Sequence, residues 1–267
     1  MDTLWPQSDI QESPGAPRLR VVRWGTSWQA VRWQREEAPL PPPGPETLAR
    51  YIDHTLLKPE STPGQIEALC RTAREYRFAA VCVPPVYVAL AADLLADTPV
   101  RVCTVVGFPL GNTSTTAKVY ETLQALHDGA EEIDMVLAIG LLKAGRDDRV
   151  LQDIHAVVET AHAAGAQVKV ILETGLLSKE EIVRACRLAQ AAGADFVKTS
   201  TGFGPRGATV EDVRLMRQTV GPDMGVKAAG GIRTYAQALA LLQAGANRLG
   251  TSAGDRLMQE ARKISKE

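Results

Sequence analysis

At four places in the chain a Gly-Ala pair stands between an amphipathic stretch and an apolar run. These pairs occur at residues 129–130, 165–166, 193–194 and 245–246. Glycine just past a helix end takes the left-handed conformation that closes the helix, so each pair predicts a helix followed by a strand. Ser178 and Glu181 have the spacing of a capping box, which predicts a helix start between two such strands. Thr234 and Gln237 repeat that spacing. The chain is therefore expected to alternate helices with parallel strands.

Eight short runs have the composition of β-strands. They cover residues 52–57, 79–83, 101–106, 132–137, 168–173, 195–199, 226–228 and 248–250. Right-handed crossovers between eight strands favour a closed (β/α)8 barrel, the TIM barrel. The alternative is an open, doubly wound sheet, but the GxGxxG dinucleotide fingerprint expected after its first strand is missing. The sequence predicts one α/β barrel domain over residues 46–267.

Residues 1–45 form an N-terminal extension of different composition. It contains all the tryptophans of the chain, Trp5, Trp24, Trp28 and Trp33, and ends in a proline-rich stretch at 39–45. Trp24, Trp28 and Val31 have helical spacing, which predicts a helix docked weakly on the barrel or a neighbouring subunit, without a catalytic role. The alternative is a mobile tail before a stiff proline spacer.

Charge and cysteine usage narrow the choice of partners. The 267 residues include 30 Lys+Arg and 31 Asp+Glu, a net charge of -1 that gives no reason to expect nucleic acid or an anionic membrane. The four cysteines form no CxxC pair and lie in apolar segments, which is typical of reduced thiols. No run is long enough for a membrane span, and no signal peptide is recognisable. We expect a cytoplasmic protein.

Polar residues lie near the carboxyl ends of the predicted strands, where barrels of this class carry their active sites. They are Asp53, Asp134, Lys169, Glu173, Lys198 and Lys227. Lys198 and Lys227 end neighbouring strands, and small residues and glycine follow each of them. Burial and a second nearby cation both favour the neutral amine, which a Schiff-base lysine requires. The alternative is that the lysines only pair with carboxylates to satisfy a polar barrel centre.

Glycines cluster in and after the last three predicted strands. They are Gly202 and Gly204, Gly230 and Gly231, and Gly250, which Ser252 follows closely. Loops in these positions, together with helix N-termini, are where barrels of this class hold phosphate. The alternative is that the glycines serve only tight turns.

The histidines give little support for a metal-dependent reaction. None of the four stands at a coordinating spacing from another. His155 and His162 fall on a predicted amphipathic helix, where we expect them to be solvated. We therefore expect neither a metal nor another cofactor.

Seven motifs, in order, resemble the class I deoxyribose-phosphate aldolase family. They are YIDHTLL (51–57), AAVCV (79–83), VVGFPLG (105–111), EEIDMV (131–136), KVILET (169–174), FVKTSTG (196–202) and VKAAGGIR (226–233). One such motif would be weak evidence, but the seven together cover nearly the whole region after the proline-rich stretch.

The resemblance implies an aldehyde-lyase that reversibly cleaves 2-deoxy-D-ribose 5-phosphate to D-glyceraldehyde 3-phosphate and acetaldehyde, without a cofactor. It implies that Lys198 forms the Schiff base, Lys227 tunes it and Asp134 transfers protons. Asp53 and Lys169 match supporting catalytic positions. The positions that match phosphate-binding loops are Gly202, Gly230, Gly231, Gly250 and Ser252. The expected partners are small phosphosugars and aldehydes, and further copies of the chain in a dimer or tetramer.

Two other functions stay open from the sequence. One is a different Schiff-base aldolase, or a transaldolase-like enzyme, on the same barrel. The other is a phosphosugar-binding regulator that uses the tryptophan-bearing extension to bind a partner. The presence of Lys198, Asp134 and Lys227 argues against the regulator.

Overall fold

A computed structural model describes residues 45–264, and for residues 19–24 and 27–32 it describes the backbone. In the extension, β1 (Leu19–Trp24) and β2 (Ser27–Arg32) pair as an antiparallel hairpin, with Arg23 opposite Trp28. The helix predicted for Trp24, Trp28 and Val31 is therefore wrong. Valine and tryptophan favour strands, and a two-residue connection that starts with glycine, here Gly25-Thr26, is a hairpin signal. Docking of the extension stays a prediction, because its side chains lie outside the described residues.

Eight parallel strands form the barrel. They are β3 (Ile52–Thr55), β4 (Ala80–Val83), β5 (Arg101–Val106), β6 (Glu132–Val136), β7 (Gln167–Ile171), β8 (Phe196–Lys198), β9 (Gly225–Ala229) and β10 (Arg248–Thr251). Each strand pairs with the next, and β10 pairs with both β9 and β3, which closes the barrel. The predicted (β/α)8 barrel is confirmed and the open sheet is excluded.

A helix follows every barrel strand. The helices are α1 (Pro63–Tyr76), α2 (Val88–Leu95), α3 (Thr115–His127), α4 (Ile139–Lys143), α5 (Asp147–Ala163), α6 (Lys179–Ala191), α7 (Val210–Val220), α8 (Tyr235–Gln243) and α9 (Gly254–Ile264). Ser178 and Thr234 form the capping boxes expected before α6 and α8. A 3-10 helix at Pro45–Tyr51 leads into β3. None of the helices among the described residues has the length and apolar character needed to cross a membrane.

Strand alternation divides the side chains between two environments. On β6, Ile133 and Met135 belong to the apolar layer between barrel and helices. Glu132 and Asp134, which alternate with them, are also buried but lie outside that apolar layer. A second, smaller apolar cluster comprises Ala80, Cys82, Cys103 and Val105 of β4 and β5, packed with Leu57 and Phe108. The barrel therefore carries an apolar lining on β4 and β5, and a buried charged group on each of the other six strands.

Candidate active site

Asp134 on β6 is the point where the three lysines meet. Its Oδ2 accepts hydrogen bonds from the Nζ atoms of Lys198 on β8 and Lys227 on β9, each at 2.8 Å. Its Oδ1 accepts a hydrogen bond from Lys169 Nζ on β7 at 2.9 Å. All four residues are buried. The structure thus brings together the lysines and the aspartate that the sequence singles out.

Opposite charges, rather than burial, decide the ionisation of most groups in this cluster. Burial alone would raise the pKa of Asp134, but the three neighbouring ammonium groups hold that pKa well below its ordinary value. Burial alone would lower the pKa of Lys227, but Asp134 and Asp53 raise it above the usual value for lysine. The pKa of Lys169 is raised well above its usual value for the same reason, with Asp134 the main opposing charge. Lys227 and Lys169 are therefore expected to carry a proton at neutral pH in the absence of substrate.

The cluster extends to the amino-terminal end of the barrel through residues that sequence reasoning did not assign to the site. Arg248 Nε donates to Asp53 Oδ1 at 2.7 Å, and Arg248 Nη2 donates to Glu132 Oε1 at 2.6 Å. Glu132 Oε2 also accepts a hydrogen bond from Lys169 Nζ at 2.6 Å. Asp53 also forms an ion pair with Lys227 and so connects Arg248 to the lysines. The signal that could have revealed Arg248 is its spacing of two from Gly250, which places both residues on the same face of a strand.

The fully buried part of this cluster contains more cations than carboxylates. Its members are Asp53, Glu132 and Asp134 as anions, and Lys169, Lys198, Lys227 and Arg248 as cations. Arg101, whose side chain is 42% exposed, contacts Glu132 from the solvent side at 3.1 Å. Four buried cations against three carboxylates leave a surplus of one positive charge, which is costly in a protein interior. Loss of one proton from a lysine would balance the cluster.

Two glycine-rich loops meet beside the lysines. After β8, Gly202 has a φ of 89°, and after β9 Gly230 and Gly231 have φ values of 89° and 78°, which favour glycine. A Cβ on Gly207 would lie 2.1 Å from Gly230 O, so the two loops touch backbone to backbone. The exposed Ser252 follows β10 and precedes α9. These loops, with the N-termini of α8 and α9, present backbone amides at the carboxyl end of the barrel.

Gly250 differs from the other predicted phosphate-binding glycines, because it lies within β10 rather than in a loop. A Cβ at this position would lie 3.2 Å from Lys227 Cε and 3.0 Å from Ala229 Cβ. The absence of a side chain at Gly250 therefore makes room for the side chain of Lys227. Its contribution to phosphate binding stays a prediction.

Two polar residues take positions that the sequence did not indicate. Glu173 leaves the strand with a φ of 56° and accepts hydrogen bonds from the Thr201 backbone N–H and hydroxyl, so it stabilises the loop after β8. His162 is buried, 2.9 Å from Asp195 Oδ2, and the expectation of a solvated His162 is wrong. His155 is exposed, as expected.

The side chains of Cys82, Cys103 and Asp134 lie within 4.8 Å of one another, a grouping among the described residues that could hold a metal ion. No histidine belongs to this group. Cys103 Sγ lies 3.2 Å from Asp134 Oδ1, which Lys169 also contacts. The Asp134 oxygens therefore already have three ammonium donors, an arrangement that competes with a cation for the same lone pairs.

A small cavity of about 180 Å³ opens at the carboxyl end of β3, β4 and β5. It is lined by Leu57, Pro84, Pro85, Val105, Phe108 and Glu121. Phe108 meets Phe203, from the loop after β8, edge to face with ring centroids 5.4 Å apart. The two aromatic rings therefore join the loop after β5 to the loop after β8 at the mouth of the barrel.

A (β/α)8 barrel with a buried lysine cluster around one carboxylate, beside glycine loops, defines the class of Schiff-base aldolases. The chain belongs to the DeoC/LacD family of aldolases, whose family model matches residues 47–259. A deoxyribose-phosphate aldolase of Thermococcus gammatolerans is 60% identical over 217 residues, which cover 80% of this chain and 96% of that protein.

Two further relatives agree with this assignment. A deoxyribose-phosphate aldolase of Streptococcus suis is 56% identical over 214 residues, covering 80% of this chain and 96% of that protein. A solved deoxyribose phosphate aldolase from Aeropyrum pernix, described as having a unique tetrameric structure, is 35% identical with a TM-score of 0.78. That match covers 83% of this chain and 93% of the other.

Proposed function

We propose that the protein is a class I deoxyribose-phosphate aldolase, which reversibly cleaves 2-deoxy-D-ribose 5-phosphate to D-glyceraldehyde 3-phosphate and acetaldehyde. The observation that carries the proposal is the buried cluster with one cation in excess, in which Lys198 is the lysine held by the fewest carboxylates. The names of the relatives support the substrate, since more than half of the aligned residues are identical in the Thermococcus and Streptococcus enzymes.

The contacts within the cluster support Lys198 as the nucleophile. Lys169 pairs with two carboxylates, Glu132 and Asp134. Lys227 also pairs with two, Asp53 and Asp134. Lys198 contacts a single carboxylate oxygen of Asp134, which it shares with Lys227. Because arginine does not lose its proton in proteins, the surplus charge is relieved most easily by deprotonation of Lys198.

The covalent steps follow from a neutral amine beside a carboxylate. Lys198 Nζ adds to the C1 aldehyde of the open-chain sugar, and the carbinolamine loses water to give an iminium ion. The C3 hydroxyl then gives up its proton, and the electrons of the C2–C3 bond move into the iminium. Glyceraldehyde 3-phosphate leaves, and an enamine of acetaldehyde remains on Lys198. Protonation at C2 and hydrolysis of the new iminium release acetaldehyde and restore the amine.

In this proposal Asp134 and Lys227 move the protons of these steps. Asp134 Oδ2 is 2.8 Å from Lys198 Nζ, the atom that exchanges protons, and Lys227 Nζ is 2.8 Å from the same carboxylate oxygen. Lys227 also repels a proton on Lys198, since the two ammonium groups share that oxygen. Asp53 and Lys169 hold the two in place through their ion pairs.

The glycine loops provide a site for the phosphate, away from the reacting carbons. Gly202, Gly230 and Gly231 supply backbone amides, and Ser252 supplies a hydroxyl near the start of α9. Phosphate binding there orients the sugar so that C1 reaches Lys198.

We further propose a cytoplasmic homo-oligomer. The four cysteines are unpaired, as expected for a reducing compartment. Several apolar side chains are exposed on the barrel surface, among them Val86, Tyr120 and Leu123, which suits contact with another copy. The Aeropyrum relative is described as a tetramer. Light scattering on the purified protein measures the mass, and a monomer would contradict the proposal.

Turnover of 2-deoxy-D-ribose 5-phosphate tests the function directly. Acetaldehyde and glyceraldehyde 3-phosphate should appear in equal amounts with the unmodified protein and be absent with Lys198→Leu. Cleavage of a ketose phosphate instead would indicate a different Schiff-base aldolase. Binding of the sugar phosphate without turnover would indicate a regulator.

A further inference from the structure

Arg248 and Glu132 lie toward the end of the barrel opposite the glycine loops, yet they belong to the same network as Lys198. Arg248 is the first residue of β10 and is 1% exposed. Its guanidinium joins Asp53 Oδ1 to both oxygens of Glu132, at 2.6 to 2.7 Å. Neither side chain faces the cavity at the mouth of the barrel. Contact with the reacting carbons therefore does not explain this arrangement.

The route from Arg248 to Lys198 consists of buried ion pairs. Arg248 and Lys227 are direct neighbours in register on β10 and β9, and Lys227 and Lys198 are direct neighbours on β9 and β8. Arg248 contacts Asp53, Asp53 contacts Lys227, and Lys227 shares Asp134 Oδ2 with Lys198. A parallel route runs through Glu132 and Lys169 to Asp134 Oδ1. Both routes end on the carboxylate that binds the nucleophile.

The charge that Arg248 contributes cannot be removed by deprotonation. It neutralises carboxylate charge that would otherwise be available to Lys169 and Lys227. Glu132 has the opposite effect, since it supplies one of the three negative charges of the cluster. The net charge of the cluster, and with it the tendency of Lys198 to lose its proton, therefore depends on both Arg248 and Glu132.

We propose that Arg248 and Glu132 are positioning residues that set the charge state of Lys198 from the far end of the barrel. This inference rests on the proposed Schiff-base function of Lys198. It assigns to the two residues an effect on the pH at which the enzyme becomes active, as well as a contribution to the packing of the barrel.

Other titratable groups that belong to the cluster or touch Asp134 also enter the balance. From β3, β6, β7 and β9 they are Asp53, Asp134, Lys169 and Lys227. From β4 and β5 they are the thiols Cys82 and Cys103. A thiolate at Cys82 would supply the missing negative charge in place of a neutral lysine. Cys82→Ala is therefore a necessary control.

The experiment measures kcat/KM for 2-deoxy-D-ribose 5-phosphate against pH in four variants. Arg248→Met removes a cation and should move the acid limb of the profile to higher pH by at least about one unit. Glu132→Gln removes an anion and should move the same limb to lower pH. Arg248→Lys keeps the charge, and Cys82→Ala removes only the thiol, so the limb should stay in place for both.

Opposite shifts are the decisive result, because a loss of packing lowers the rate without moving the limb in two directions. Circular dichroism identifies any variant that fails to fold. If Arg248→Met does so, the downward shift in Glu132→Gln and the unmoved limb in Arg248→Lys still test the proposal.

Unmoved limbs in folded Arg248→Met and Glu132→Gln would overturn the inference, as would a shift in Cys82→Ala as large as theirs. Borohydride trapping of the unmodified protein separates this failure from a failure of the proposed function. An imine without limb shifts refutes only the inference, whereas the absence of an imine refutes the function.

Discussion

Replacement of Lys227 by leucine removes the cation that shares Asp134 Oδ2 with the nucleophile. Lys227 Nζ and Lys198 Nζ are each 2.8 Å from Asp134 Oδ2, so the two nitrogens are at most about 5.6 Å apart, twice that distance. Two unit charges about 5 Å apart repel each other by roughly 3 kcal/mol at an effective dielectric constant of about 20. That energy corresponds to about two pH units in the loss of a proton.

Without Lys227 the buried cluster has equal numbers of cations and carboxylates, so Lys198 should keep its proton at neutral pH. We expect kcat/KM for Lys227→Leu to fall by about 100-fold at pH 7 and to recover partly as the pH is raised by two units. Lys198→Leu is the matched control, because it lacks the amine and should be inactive at every pH. Steady-state kinetics across the pH range check both.

A uniform loss of activity would refute this reasoning. If Lys227→Leu has the pH profile of the unmodified protein, scaled down at every pH, Lys227 does not act through the charge of Lys198. Its contribution would then be limited to proton transfer or to the position of Asp134.

Four further predictions follow from the same structure. Gly250→Ala should lower kcat/KM about tenfold in folded protein, because its Cβ would lie 3.2 Å from Lys227 Cε; Gly64→Ala, with nothing within 4 Å, is the control and should be silent. Deletion of residues before Glu46 should change kcat/KM less than about tenfold, and a larger loss in folded protein would place the extension in the active site. Dialysis against a chelator should leave turnover unchanged, and loss that a divalent ion restores would contradict this. Because its pKa is lowered in the folded protein, Asp134 contributes its full stabilisation at pH values above about 3.9, the pKa of an aspartate in the unfolded chain. The urea midpoint of unfolding should therefore drop as the pH falls below about 4, and a midpoint that does not change there would contradict this prediction.

The barrel could be predicted from the sequence because its signals are local. Apolar runs, Gly-Ala pairs and capping boxes each depend on a few neighbouring residues. All eight predicted strands are present, and each predicted end lies within about two residues of the observed one. The hairpin in the extension was missed because Trp24, Trp28 and Val31 fit a helical spacing as well as the composition of a strand. Local spacing alone does not decide between the two.

The lysines and Asp134 could be predicted because they lie at or near the ends of strands that a barrel brings together. Their pairing could not, since the choice of Asp134 Oδ2 as the shared partner of Lys198 and Lys227 depends on three strands at once. Arg248 was missed for a related reason. A charged residue at the start of a strand is usually solvated, and only the closed barrel shows that this one is buried against two carboxylates.

Reductive trapping of the imine tests the Schiff-base function most directly. Borohydride added with 2-deoxy-D-ribose 5-phosphate or acetaldehyde should convert the intermediate into a stable secondary amine. Peptide mapping by mass spectrometry should place the added mass on the peptide that contains Lys198. Label on Lys227 or Lys169 would contradict the assignment of the nucleophile, and no label on any lysine would contradict the Schiff-base mechanism itself.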